Sequence, residues 1–315
     1  MKSHYVEQLE LGQAVKDIFI LSRRNLKEKK DGTHFAVFEF TDRTGMIEGI
    51  LWDNAQETVK YFKSGDFVLL NGTVNDYNGK LQIVVSSISP VDDREVDSAD
   101  FLPASEENIE KVIKEIHGFV NAITDQHLKR LLELFFLDES FIMQFSRAPA
   151  AKRAHHAYLG GLAVHTRNMA CLTDKLHDVY PACNSDLLMT GVLLHDIGKI
   201  HEYAYQRKLD ITIKGHMLGH IIIGNDMIVE KISQIEDFPD DLKLKLLHMV
   251  IAHHGEYEWG SPKVPLFGEA LLLHFIDNLD AKLEMIMHEL RRNTNRERLW
   301  SDFHPLLERE IYLGE

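Results

Sequence analysis

The chain has 315 residues, 44% of them hydrophobic and 27% charged, with a formal charge of −14 at neutral pH. That balance excludes a disordered chain and argues against nucleic-acid binding through bulk positive charge, so any such binding must rest on a local basic patch or on metal ions. Two cysteines, Cys171 and Cys183, cannot build a disulfide framework, and neither a signal-peptide pattern nor a membrane-length apolar run is present; the expectation is a soluble, cytoplasmic, two-domain protein with no membrane contact.

From about Gln13 to Ile88 short β-like runs at 14–22, 33–41, 45–52, 66–76 and 80–88 alternate with turn residues. The last two flank Tyr77-Asn78-Gly79, and Asn-Gly between such runs predicts a tight hairpin. Asp53 to Phe62, between the third and fourth runs, reads as a helix with an Asp or Asn cap. Five strands with a helix after the third is the layout of an OB-fold barrel, which binds oligonucleotides between the loop joining strands one and two and the loop joining strands four and five. The first of these loops is placed at 23–32 and carries Arg23, Arg24, Lys27, Lys29 and Lys30, the densest basic patch in the chain. Phe35, Phe38, Phe40, Trp52 and Tyr77 are candidates for stacking on bases, with Lys80 beside the second loop. Alternation does not say which of them face outward, and the competing reading is barrel core with a solvated hairpin end. Residues 1–90 are therefore taken as the barrel and the acidic, proline-punctuated stretch 91–105 as a linker.

Residues 106–315 turn helical. Ile109, Val112, Ile113, Ile116, Phe119 and Val120 form a stripe at helical spacing. Further helices are predicted at 125–137, 139–146, 160–179, 185–197, 216–234, 240–253, 265–290 and 295–312, giving an all-α bundle of eight or nine helices.

The chemistry centres on Leu193 to Tyr203, where an apolar run delivers His195 and Asp196 and is followed by Gly198 and Lys199. Another His-Asp pair, His177-Asp178, lacks the Gly-Lys and sits among polar residues, so it reads as a solvated helix end. Around the first pair stand His165 early in an apolar helix, His216 and His220 at i and i+4, His253 and His254 at a helix end, and Asp277 in an apolar helix where a lone carboxylate is costly. Together they supply about five imidazoles and two carboxylates from five helices. Mixed imidazole and carboxylate ligation suits Mn²⁺, Fe or Zn²⁺ better than Ca²⁺, and the number of donors suggests two ions sharing a carboxylate. A two-metal site clamps the attacking and leaving oxygens of a displacement at phosphorus, which points to phosphodiester hydrolysis.

The order His165, His195-Asp196 with Gly198-Lys199, then Asp277 resembles the HD-domain metal-dependent phosphohydrolases, and His220 with His253-His254 looks like the members that hold two metals. The segment after His254 lacks the Gly-Tyr-Pro signature of the cyclic-dinucleotide branch. With a barrel in front, and with Lys152-Arg153-Ala154-His155-His156 ahead of the first ligand, the whole chain resembles the YhaM-type 3′-to-5′ exoribonucleases. The resemblance implies a first metal held by His165, His195, Asp196 and Asp277 and a second held by Asp196, His220, His253 and His254, most often Mn²⁺, with Fe, Mg²⁺ or Zn²⁺ as alternatives. It implies catalytic roles for Asp196 and Lys199, a scissile-phosphate clamp from Lys152, Arg153, His155 and His156, and hydrolysis of single-stranded RNA to mononucleotides. His216 is read as supporting rather than ligating. DNA as a partner and a homo-oligomer are both compatible with the sequence. The alternatives are an HD-type nucleotidase or cyclic-nucleotide phosphodiesterase with a regulatory barrel, and a DNA-binding regulator with a structural metal.

Overall fold

The computed structural model describes residues 2–152, 156–176, 179–292 and 298–314. The chain divides into two compact units, one comprising Met1–Ala104 with Ala204–Leu209 and the other Ser105–Tyr203 with Asp210–Glu315.

The first unit is a closed barrel of β1 (Ala14–Glu28), β2 (His34–Asp42), β3 (Gly45–Leu51), β4 (Phe67–Tyr77) and β5 (Lys80–Pro90), in the order β1-β2-β3-β5-β4, with helix α1 (Ala55–Tyr61) between β3 and β4. Closure is possible because β1 serves two neighbours: Ala14–Ile20 pair with β4, and Ile20–Glu28 pair with β2, with a register shift between Leu21 and Arg23. This corrects the expected loop at 23–32. Arg23 to Glu28 are strand, because pairing with Glu39 to His34 satisfies their backbone whatever their side chains. Phe19, Leu21, Phe38, Phe40, Leu70 and Ile83 are fully buried and fill the interior. At the β4–β5 turn Asn78 and Gly79 both have positive φ, the geometry that a two-residue hairpin loop requires. The N-cap of α1 is Asn54, as one of the two expected residues, but it makes no side-chain capping bond; its own φ is +53°. The acidic stretch after β5 forms two short 3₁₀ turns, and its Phe101 packs on Ile20 and Phe67. Arg207, from the 204–209 segment, pairs with Asp93 at 2.7 Å and with Asp66 at 3.1 Å.

The second unit contains α2 (Ile109–Ala122), α3 (Gln126–Phe136), α4 (Glu139–Phe145), α5 (Gly161–Leu176), α6 (Ser185–Leu194), α7 (Lys199–Glu202), α8 (Ile213–Ile232), α9 (Asp240–Ala252) and α10 (Gly268–Arg292). Asn108, Asp125, Asp138, Asn184 and Thr212 cap α2, α3, α4, α6 and α8 through side-chain oxygens, which is why these helices begin where they do. Helix α2 buries Val112, Ile113, Ile116 and Val120 on one face. Two expectations need correction. The half is not purely α-helical, since β6 (Tyr203–Ala204) and β7 (Asp210–Ile211) form a small ladder. Nor is there a helix at 295–312 among the described residues: Pro305 lacks an N–H and disfavours helical backbone before it, and the segment is held instead by bridges Trp300–Tyr312 and His304–Arg309. Residues His177 and Asp178 lie outside the described residues. Among the described residues no helix is long and apolar enough to cross a membrane.

Candidate metal centre

Helix α6 is buried at every position from Leu187 to Leu194, so its C-terminal end enters the interior of the helical unit. A helix end leaves carbonyls unpaired, and His195 answers one of them: its Nδ1–H donates to the Val192 carbonyl at 2.8 Å. His253, at the end of α9, does the same to the Val250 carbonyl at 2.6 Å. Each imidazole caps its helix with one nitrogen and leaves Nε2 for the site.

Gly198 sets the next approach. A Cβ there would lie 2.0 Å from the His220 carbonyl oxygen and 2.6 Å from the Gly224 amide nitrogen, so only glycine lets this turn meet α8. Within α8, Gly219 leaves the helical path at φ +70° and ψ +160°. That break corrects the expected i, i+4 alignment: His216 is exposed, whereas His220 turns inward, its backbone N–H donating to Glu202 Oε1 at 3.1 Å and its Nδ1–H to Oε2 at 3.0 Å.

Asp196 is the hub. It is 2% exposed, with the Lys199 ammonium 2.6 Å from Oδ2. His195 Nε2 and His165 Nε2 lie 3.2 and 3.7 Å from the same oxygen, while His220 Nε2 and His253 Nε2 lie 3.5 and 3.7 Å from Oδ1. Two imidazoles therefore stand at each oxygen of one carboxylate, and each pair belongs to a trio of donors. His165, His195 and Asp277 form one, and His220, His253 and His254 the other; within each, the candidate ligand atoms lie within 4.8 Å of one another. His165 Nε2 is 3.3 Å from Asp277 Oδ1. All five imidazoles have Nδ1 tied to an oxygen that can only accept, Asp280 for His165 and the Trp259 carbonyl for His254 completing the set, so in the neutral ring the lone pair belongs to Nε2. His195 Nε2, His220 Nε2 and Asp196 Oδ1 are buried without a hydrogen-bond partner among the described residues. Each such atom costs about 1–3 kcal/mol. A divalent cation on each side of Asp196 would satisfy them, and the donor set suits one.

The charges agree. Burial pushes the Asp196 carboxyl up, but Lys199, His195 and His220 outweigh it and hold it well below the usual carboxylate range. Asp277 is likewise depressed, burial being overcome by the hydrogen bond from His165 and by the neighbouring imidazoles. Burial, with His254 and His195 beside it, drives His253 well down, and burial and His220 lower His254, so both stay neutral. His165 is the exception: burial lowers it, yet Asp277 and Asp280 raise it to about 9.

Of the residues expected at the phosphate clamp, Arg153 and His155 lie outside the described residues. Lys152 pairs with Asp210 at 2.7 Å, and His156 is buried against Asp280 and Tyr158. Asp280 and Glu202, the carboxylates that orient His165 and His220, were not anticipated. Asp280 stands three residues after Asp277, on the same helix face, and that spacing was the available signal; Glu202 is buried three residues after Lys199.

On the barrel, Phe38 and Phe40 are core, whereas Phe35 stacks on Trp52 at 5.0 Å, with the Lys29 ammonium 4.8 Å from the Trp52 ring. Trp52 is 46% and Tyr77 64% exposed. Arg23, Lys27 and Lys30 are exposed, but Arg24 donates its guanidinium to the Val59 carbonyl of α1 and is committed to the fold.

Gly198→Ala should separate α7 from α8 and weaken Mn²⁺ binding at least tenfold, read by chelator competition; unchanged affinity would show that the close approach is not what positions His220. Asp277 and Asp280 favour the protonated form of His165 up to about pH 9, so an ion held by His165 below that pH would displace its proton. Mn²⁺ affinity should rise roughly tenfold per pH unit between pH 7 and 9, and a flat profile over that interval would contradict the assignment.

Two family models match the chain: an OB-fold nucleic acid binding domain over residues 20–91 and an HD domain over residues 162–282. The chain is 32% identical to the 3′-5′ exoribonuclease YhaM of Shouchella clausii (strain KSM-K16), over 90% of this chain and 88% of that protein. It is 34% identical to the 3′-5′ exoribonuclease YhaM of Geobacillus sp. (strain WCH70), over 90% of this chain and 87% of that one. With a barrel and an HD domain in the same order and similarity running through both, the chain belongs to the YhaM family of 3′-5′ exoribonucleases.

Proposed function

We propose that this protein is a metal-dependent phosphodiesterase that removes mononucleotides from the 3′ end of single-stranded RNA, with residues 1–90 as the RNA-binding barrel, 91–105 as a linker and 106–315 as the hydrolytic domain. The observation that carries the reading is the pair of donor trios beside Asp196, with five imidazoles anchored at Nδ1 and four of their Nε2 atoms 3.2–3.7 Å from that one buried carboxylate. His165, His195, Asp196 and Asp277 would hold one divalent ion, and Asp196, His220, His253 and His254 a second; the mixed imidazole and carboxylate donors suit Mn²⁺, Fe or Zn²⁺, and the family resemblance favours Mn²⁺. Such a pair of ions, when bound, supplies an activated water and Lewis-acid stabilisation at phosphorus.

The chain's own residues supply the rest. Lys199 holds Asp196 ionised through its 2.6 Å contact and keeps a positive charge beside the phosphate that this site would receive. The anchored Nδ1 atoms fix ring orientation, so little reorganisation is needed on loading. On the barrel, Trp52 with Phe35, and Tyr77, offer faces for bases, while Arg23, Lys27, Lys29 and Lys30 offer cations to the backbone, a local patch in a chain of net charge −14. Residence in the cytoplasm accords with this substrate.

The test uses 5′-end-labelled single-stranded RNA. Metal-stripped protein should be inert, Mn²⁺ should restore a ladder that shortens from the 3′ end with mononucleotide products, and Asp196→Ala should abolish it. Trp52→Ala should weaken RNA binding about 5- to 100-fold, the range of a lost base stack. Activity of the stripped protein or of Asp196→Ala would overturn the reading, and turnover of mononucleotides without shortening of RNA would favour the nucleotidase alternative.

A further inference from the structure

We propose that Asp280 is the positioning carboxylate of His165 and that His156, with Tyr158 behind it, acts through Asp280 on His165 rather than on the substrate's phosphate. The proposal rests on the metal-centre reading above. One oxygen, Asp280 Oδ2, accepts two hydrogen bonds: from His165 Nδ1 at 2.7 Å and from His156 Nε2 at 2.9 Å. The other, Oδ1, accepts from the Asn168 amide at 3.1 Å. A carboxylate can only accept, so His165 and His156 both turn N–H groups toward it. With its Nε2 proton committed, a neutral His156 presents a lone pair at Nδ1, and the Tyr158 hydroxyl, 2.7 Å away, donates to it. The result is an ordered chain, Tyr158 to His156 to Asp280 to His165, that leaves His165 Nε2 directed at Asp277 and Asp196.

His156, His165 and Asp280 lie close enough together to be taken for a metal trio of their own. Their separations of 2.7 and 2.9 Å are hydrogen-bond lengths with both imidazoles donating, which makes them the tier that orients a ligand. The same contacts argue against His156 as a phosphate clamp. Its ring is buried and both nitrogens face protein partners. Its backbone also holds a left-handed φ of +48°, and its carbonyl accepts from Ala150 and Tyr158 amides, so the ring is delivered to Asp280 by a turn that is itself pinned. His156 is in this way tied to a carboxylate 124 residues further on, Asp280, which stands behind the candidate ligand His165.

The test measures Mn²⁺ affinity by chelator competition and thermal unfolding of stripped and Mn²⁺-loaded protein, in the full chain. Asp280→Asn and His156→Phe should weaken Mn²⁺ binding 10- to 100-fold while stripped protein unfolds as wild type does; His156→Gln, which can still donate to Asp280, should recover most of the loss, and Tyr158→Phe, which removes one hydroxyl, should show a smaller loss. Unchanged Mn²⁺ affinity in these variants overturns the proposal, whether it comes with earlier unfolding of stripped protein, which marks a structural tie, or with a raised KM for RNA at unchanged Mn²⁺ affinity, which marks a phosphate contact. If wild-type protein binds no Mn²⁺, the metal-centre reading fails instead.

Discussion

A carboxylate sealed in the interior is the constraint on which the helical unit depends. Asp196 is ionised and almost fully buried, and an isolated charge in that position would cost several kcal/mol. One ammonium at 2.6 Å offsets part of this, yet Oδ1 still lacks a hydrogen-bond partner among the described residues. Four imidazoles stand 3.2–3.7 Å from its two oxygens, too far to be ordinary hydrogen bonds in most cases. The folded chain thus keeps a concentration of negative charge and lone pairs that cations would relieve.

The way each imidazole is delivered repeats one local device. Each ring spends Nδ1–H on an oxygen that can only accept, a last-turn carbonyl for His195 and His253, a loop carbonyl for His254, a carboxylate for His165 and His220. At His195 and His253 the helix end gains a cap, and in every case the tautomer of the neutral ring is set and Nε2 is left for the site. Two glycines complete the geometry for opposite reasons, Gly198 because a neighbouring backbone occupies the Cβ position and Gly219 because the chain must leave the helix there.

Much of this was legible in sequence because it depends on local patterns. Asn78-Gly79 marked its hairpin, the stripe from Val112 to Val120 marked a buried helix face, and the seven residues 165, 195, 196, 220, 253, 254 and 277 stood out as imidazoles and carboxylates on apolar helices. What was hidden depends on partners distant in sequence or on backbone alone. Arg23 to Glu28 looked like a basic loop, since strand pairing with β2 leaves no trace in side-chain character. His216 and His220 shared a helical spacing that the break at Gly219 cancels. His156 sat in a run of cations that suggested phosphate, while its buried partner Asp280 could be identified only in three dimensions. Pro305 was the local signal against the C-terminal helix expected at 295–312.

The barrel and the helical unit solve separate problems in an acidic chain. The first brings Lys29 against the exposed Trp52 and its partner Phe35, the second brings together imidazoles and carboxylates that could hold metal, and neither depends on net charge. The central claim, that Asp196 joins two ions, is tested most directly by counting Mn²⁺ per chain by elemental analysis after equilibrium dialysis. The account predicts two ions in wild-type protein and fewer than one in Asp196→Asn; a single ion in wild type, or two retained in the variant, would contradict it.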